Sequence, residues 1–472
     1  MWRASFFIFM LLSGSITGLL FWQWKAYSEQ TGESEELMQL SQHIAVESLQ
    51  SNLKVTQTIK GLIPDREYRL IIPDTFFQWQ CKSGQGIACD SGDDNPYTFL
   101  SNGKQMVFTY VLPMEKKQKA FLLNDWTVSV HGSEIKHSLI TVSDSNRKDG
   151  TWAAGIPLKA HKEMELIDYY TFEGQGNTPS LYWQQAPLKK VSKSGFDVYI
   201  DHQKSVDLKA ENLKNLAENS NISVVITNEY KKSYGKGILL TGPDTNNDEL
   251  EQMLITLFYK GKFSYSPDIE DWLIDALGSQ LRDRKAGTEK GNRLLNELRK
   301  ELADDERQMF IRNMNAEDTL SIERLDKILG NIKGRETRFF AMNKQLNKPF
   351  VPLYFEYNRK VSFSGMEQKS INVIYKNGKQ LLPLKEMAEA MGYKVEVLSD
   401  EETLFLAKGN NSYRFYLNKN FFIYNEEDYG LLENPLTNLN GTAFIEIQWL
   451  ETLFNVSVEE RNDELALTTA LE

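Results

Sequence analysis

The sequence predicts a multi-domain α+β protein, and three observations carry that prediction. A charge-free apolar run opens the chain. Short alternating strands fill residues 53–190, and helical spacing dominates residues 278–345. A helix-plus-hairpin pattern then occurs twice within residues 371–472. The length of 472 residues fits about three globular domains. The expected order is an N-terminal transmembrane helix (1–25), a juxtamembrane helix or linker (26–52), a β-sandwich-like domain (53–190), an α+β domain with a helical part (191–345), a connector (346–370) and a repeated helix/β-hairpin domain (371–472).

Ala4 to Trp22 is nineteen residues without a charge, long enough to span a bilayer, with Trp2, Trp22 and Trp24 placed as interfacial aromatics. The expectation is an uncleaved signal anchor, a single-pass membrane protein and a bulk outside the cytoplasm. Leu37, Leu40, His43, Ile44, Val46 and Leu49 form a weak stripe at helical spacing.

Strands such as Tyr68–Ile72, Met106–Val111 and Trp126–Val130 alternate with turn clusters at Ser91–Pro96 and Ser145–Gly150, the spacing of a sandwich. Cys81 and Cys89 are the only cysteines. They are candidates for a small disulfide loop, with a pair of free thiols as the alternative. His131 and His137 read as surface histidines.

In the α+β domain, Ile222–Thr227 and Gly237–Thr241 read as strands. The turn Gly242–Asn247 leads into an amphipathic helix with Asp248 as its expected N-cap. Leu294, Leu295, Leu298 and Leu302, then Leu320, Ile322, Leu325, Ile328 and Leu329, keep helical spacing. Pro349 and Pro352 mark the connector.

Net charge is −11 with a pI near 5.3, and no basic cluster is interleaved with aromatics, so no nucleic acid partner is expected. No GxSxG, no phosphate-binding GxxxxGK[ST] and no Cys with a local His signature occurs.

Glu251 to Leu277 reads EQMLITLFYKGKFSYSPDIEDWLIDAL. With its anchors Leu257-Phe258-Tyr259, Gly261 and Trp272-Leu273-Ile274-Asp275-Ala276-Leu277, it resembles the gluzincin aminopeptidases, which read roughly HExxHQWFYG…PWLDEGL there. On those anchors the first zinc-ligand His falls on Glu251, the general-base Glu on Gln252, the second His on Ile255 and the third ligand on Asp275. Nineteen residues separate Ile255 from Asp275, one more than the family's eighteen. The five histidines (His43, His131, His137, His161, His202) all precede this segment. The resemblance spans about 191–345 and implies a gluzincin-like α+β fold. A catalytic zinc needs three protein ligands and an open water position, which these residues do not supply, and Gln252 cannot act as a base. No cofactor is expected.

Residues 371–469 resemble the copper amine oxidase N-terminal-like (stalk) domain. The carrying residues are Ile371-Asn372-Val373, Asn377-Gly378-Lys379 and Leu382 to Val395, with a second copy in Ala443 to Val456 and Glu464 to Leu467. In that copy the usual Pro aligns with Ile445 and the usual Gly with Phe454. No His or Cys lies there, so the resemblance does not bring copper with it.

Together these resemblances imply a membrane-anchored, non-catalytic, pseudopeptidase-like binding or scaffolding protein of the bacterial cell envelope, with a peptide or an envelope protein as ligand. Two other readings stand beside it: an active metal-dependent peptidase with an unconventional site, and a purely structural stalk.

Overall fold

The computed structural model describes residues 38–74, 76–83, 86–89, 97–115, 118–176, 178–193, 196–201, 213, 222–264, 266, 269–357, 359–400, 402–461 and 464–469. The chain divides into two compact units, residues 1–247 and 248–472.

The first unit is built on a seven-stranded sheet. Its strand order is Leu158–Glu163, Asp168–Gln175, Ser133–Asp144, Met38–Ser48, Asn52–Lys60, Gln105–Pro113 and Phe77–Ser83. Met38–Ser48 runs parallel to Ser133–Asp144, and the other neighbours are antiparallel. Inward residues alternate, as a half-buried sheet requires: Val55 and Ile59 on one strand, Met106, Phe108, Tyr110 and Leu112 on the next. They form one core with Phe121, Trp152, Leu181 and Trp183 of a three-stranded sheet. Cys81 and Cys89 are joined by a disulfide, with Cα atoms 5.3 Å apart.

The helix expected within 26–52 is a strand where it is described. In Met38–Ser48 the buried residues are Leu40, Gln42, Ile44, Val46 and Ser48, a period of two. Gln42 is tolerated inside because Gln57 donates to its Oε1 at 2.9 Å, while its own Nε2 donates to Ser138 Oγ at 2.9 Å and Thr178 Oγ1 at 2.8 Å.

Later in this unit lies a five-stranded sheet ordered Lys189–Lys193, Phe196–Ile200, Ser223–Ile226, Ile238–Thr241 and Ser233–Gly235. The three middle strands are parallel, and the last two are wholly buried, which suits their unbroken apolar runs. Ile238–Thr241 is therefore an inner strand, with the short Ser233–Gly235 outside it.

The second unit opens with helices α1 (Asn247–Lys262), α2 (Asp271–Leu281), α3 (Glu289–Glu301), α4 (Asp304–Ala316), α5 (Ile322–Lys333) and α6 (Phe339–Asn343). The repeated module follows, with α7 (Leu384–Ala390) and α8 (Ile447–Phe454) covering antiparallel strands. The helix ends of the two copies correspond one residue away from the sequence alignment. Pro383 and Glu446 precede the helices, and Gly392 and Asn455 both adopt positive φ after them (+85° and +51°).

Two expectations are corrected. The described chain is mostly β, with eight helices, rather than the multi-domain α+β protein expected. Among the described residues no helix is long and apolar enough to cross a membrane. The longest, α1, has sixteen residues and carries charges at both ends, against about twenty apolar residues for a span. No described helix therefore corresponds to the expected transmembrane helix or supports the expected single-pass membrane localisation. The run Ala4–Trp22, the turn Ser91–Pro96 and His202 lie outside the described residues.

Candidate functional site

Helix α1 starts at Asn247, so Asp248 sits inside its first turn beside Glu249 rather than at the N-cap. Both suit the positive end of the helix. Glu251 and Ile255 are four residues apart and share one face. Lys262 ends the helix. Burial pushes its ammonium below the ordinary value, against the pull of Asp318 and Glu317. Its Nζ donates to the carbonyls of Asn315 (3.0 Å) and Glu317, tying α1 to the end of α4.

Helix α2 carries Asp275 on its second turn. The acidic residues at its start do not cap it. Asp271 pairs with Lys260 at 2.8 Å, and Glu270 Oε2 accepts the Leu346 amide at 2.8 Å. Trp272 is buried, with the Lys290 ammonium 5.4 Å from its ring.

The structure brings Gln252 and Asp275 together. Gln252 Nε2 donates to Asp275 Oδ1 at 3.4 Å, and the Gly287 amide donates to Asp275 Oδ2 at 2.7 Å. Glu251 is turned elsewhere. Its carboxylate meets Arg282 Nη2 at 2.5 Å, and both side chains are nearly buried, 8% and 13% exposed. Arg282 also approaches Asp248 Oδ1 at 3.7 Å, and its Nη1 donates to the Asp248 carbonyl at 3.3 Å. Ile255 is fully buried against Gly278, where an added Cβ would lie 2.9 Å from its Cγ2.

Arg282, Gly278 and Gly287 were not singled out in the sequence. The available signal was a glycine one turn beyond Asp275. An arginine at the end of the same helix announces nothing by itself. Zinc, implied at these positions by the gluzincin resemblance, does not fit the residues present. Ile255 offers no donor, the Glu251 carboxylate is matched by a guanidinium, and Asp275 already accepts two N–H groups. Among the described residues no group of three or more His, Cys, Asp or Glu is arranged to hold a metal. What the arrangement does chemically is to lock two helices together through an ion pair, an amide–carboxylate bond and a close glycine contact.

Residues 365–469 match the family described as copper amine oxidase N-terminal domain. Comparison with curated proteins returns no match. Among solved structures, the chain is similar to an M1 zinc metallopeptidase from Deinococcus radiodurans, at 11% identity and a TM-score of 0.45, covering 67% of this chain and 95% of that one. A single-substitution variant of an M1 zinc metallopeptidase from the same organism gives 11% identity and a TM-score of 0.46, over 66% of this chain and 95% of that one. Such a variant bound to a Tyr-Ser-Ala substrate gives 11% and 0.46, over 67% and 96%.

Proposed function

We propose that this chain is a non-catalytic, peptidase-like protein that binds or scaffolds a peptide or protein segment, with Glu251, Gln252, Ile255 and Asp275 in structural rather than catalytic roles. The observation that carries this reading is the engagement of all four side chains inside the fold: Glu251 with Arg282, Gln252 with Asp275, Asp275 with Gly287 and Ile255 with Gly278. A hydrolytic zinc site needs an open coordination position and a base able to take a proton from bound water. An amide at 252 has no basicity to offer, and an isoleucine at 255 has no lone pair.

The test is zinc content and peptide hydrolysis of the full chain after incubation with zinc. It runs beside a variant carrying Glu251→His, Gln252→Glu, Ile255→His and Asp275→Glu. The expected result is no stoichiometric zinc and no turnover in the unaltered chain, with zinc uptake only in the variant. Stoichiometric zinc with turnover in the unaltered chain overturns the reading.

A further inference from the structure

Two sheet edges carry unpaired charge of opposite sign. Leu158–Glu163 is the outer strand of the seven-stranded sheet, and every residue from Lys159 onward is exposed. Lys159 and Lys162 have no ion-pair partner among the described residues. The one acid of the strand, Glu163, lies 3.9 Å from His161, whose ring stacks on Tyr170. Glu427–Gly430 is the outer strand of a five-stranded sheet in the repeated module, ordered Lys394–Val397, Thr403–Lys408, Asn411–Tyr416, Phe421–Tyr424 and Glu427–Gly430, and all four of its residues are exposed. Asp428 and the adjacent Glu426 have no ion-pair partner among the described residues, and Glu427 accepts the Tyr429 hydroxyl at 3.1 Å.

Three other outer strands carry ion pairs. Lys394–Val397 pairs Lys394 with Glu396 at 2.7 Å. Val456–Arg461 pairs Glu459 with Arg461 at 2.8 Å and Glu460 with Arg359 at 2.9 Å. Lys189–Lys193 joins Lys190 to Asp197 at 2.9 Å.

An uncovered edge presents unpaired backbone N–H and C=O groups, and like charge along it prevents pairing with its own copy. Lysines do this on one edge here, and carboxylates on the other. Each edge repels itself and complements the other. Both are also flanked by exposed apolar side chains: Met164 and Leu166 beyond the first, Tyr429 and Leu432 along and beyond the second. We propose that copies of this chain associate head to tail, with Leu158–Glu163 of one copy pairing with Glu427–Gly430 of the next. The backbone ladder supplies the contact, the charges choose the partner strand, and the flanking apolar residues supply buried area. Two different surfaces meeting in this way build rings or open filaments rather than a two-fold dimer.

Sedimentation velocity of the full chain at low and high ionic strength tests this. The comparison chains are Lys159→Glu/Lys162→Glu, Glu427→Lys/Asp428→Lys and their equimolar mixture. The unaltered chain should assemble with rising concentration at low ionic strength and weaken as salt screens the charges. Each double variant alone should bind itself at least about tenfold more weakly, and the mixture should recover assembly, because each acidic edge then meets a basic one. A chain that stays monomeric at low ionic strength overturns the proposal. So does assembly unchanged by the reversals, or a mixture no better than its components. Zinc binding has no bearing on these outcomes, so they stand or fall apart from the non-catalytic reading.

Discussion

Helices α1 and α2 are joined by side chains, whereas the two copies of the repeated module are shaped by their backbone. In the helix pair, Glu251, Gln252, Asp275 and Arg282 satisfy one another across the contact. In the repeated module, α7 and α8 each end on a residue with positive φ, Gly392 or Asn455, and the buried residues behind them are apolar, among them Leu384, Met387, Ala388, Leu450 and Phe454. Side-chain matching of the first kind is readily lost by a single substitution. A backbone device of the second kind survives any residue that tolerates the left-handed region. Residues 365–469, which hold both copies, match a known family.

The largest break in that contrast comes from Arg282→Ala. It leaves the nearly buried Glu251 carboxylate without its counter-ion, and removing one partner of such a pair costs about 3–5 kcal/mol. Arg282→Met combined with Glu251→Leu should recover most of the loss, because an apolar pair replaces both charges. Hydrogen exchange of the α1 amides reads the local stability. A change below about 0.5 kcal/mol in the single variant would mean that the ion pair does not hold the two helices.

That pair also marks the limit of what the sequence made visible. The apolar and aromatic anchors of α1 and α2, the order of strands before them and the doubled module were all legible, because periodicity and motif spacing report buried faces. Arg282 was not, since its partner lies thirty-one positions earlier and neither residue belongs to a periodic pattern. The strand Met38–Ser48 was misread for a related reason. Two of its five inward residues, Gln42 and Ser48, are polar, so the alternation of apolar residues that identifies a strand is broken. Their partners, Gln57 and Ser138 for Gln42 and Arg147 for Ser48, lie in other elements and cannot be inferred from local spacing.

The next effect depends on pH. Burial lifts the Asp326 carboxyl to about 6 from its ordinary 3.8, although the amides of Phe340 and Ala341 at the start of α6 donate to it at 2.8 and 3.1 Å. The folded state therefore holds the proton more tightly than the unfolded chain does. The stability this group contributes is fully present below pH 4 and is lost as pH rises through 6, about 2–3 kcal/mol in all. Asp326→Asn should flatten that part of a stability profile taken between pH 4 and pH 7. An unchanged slope would remove Asp326 as its source.

Gly278→Ala probes the contact itself. The new methyl lies 2.9 Å from Ile255 Cγ2, so the helices must separate or Ile255 must shift, at about 1–2 kcal/mol. Ile255→Ala removes the obstructing atom. The double variant should therefore lose less than the sum of the two single losses in urea unfolding. Strict additivity would show that the glycine is not there for close approach.

The smallest effects separate the two module copies. Gly392 has φ +85°, and the nearest neighbour of an added methyl is Lys408 Cε at an ordinary 3.7 Å. The cost of Gly392→Ala is therefore one of backbone conformation rather than crowding, about 1 kcal/mol. Asn455 already occupies the same region at φ +51° with a side chain that tolerates it. Asn455→Gly should change stability by no more than a few tenths of a kcal/mol, because relief of mild strain is offset by the added freedom of the unfolded chain. If thermal unfolding instead showed equal losses at the two sites, the helix ends would be held by side-chain contacts. The module would then resemble the α1–α2 pair rather than contrast with it.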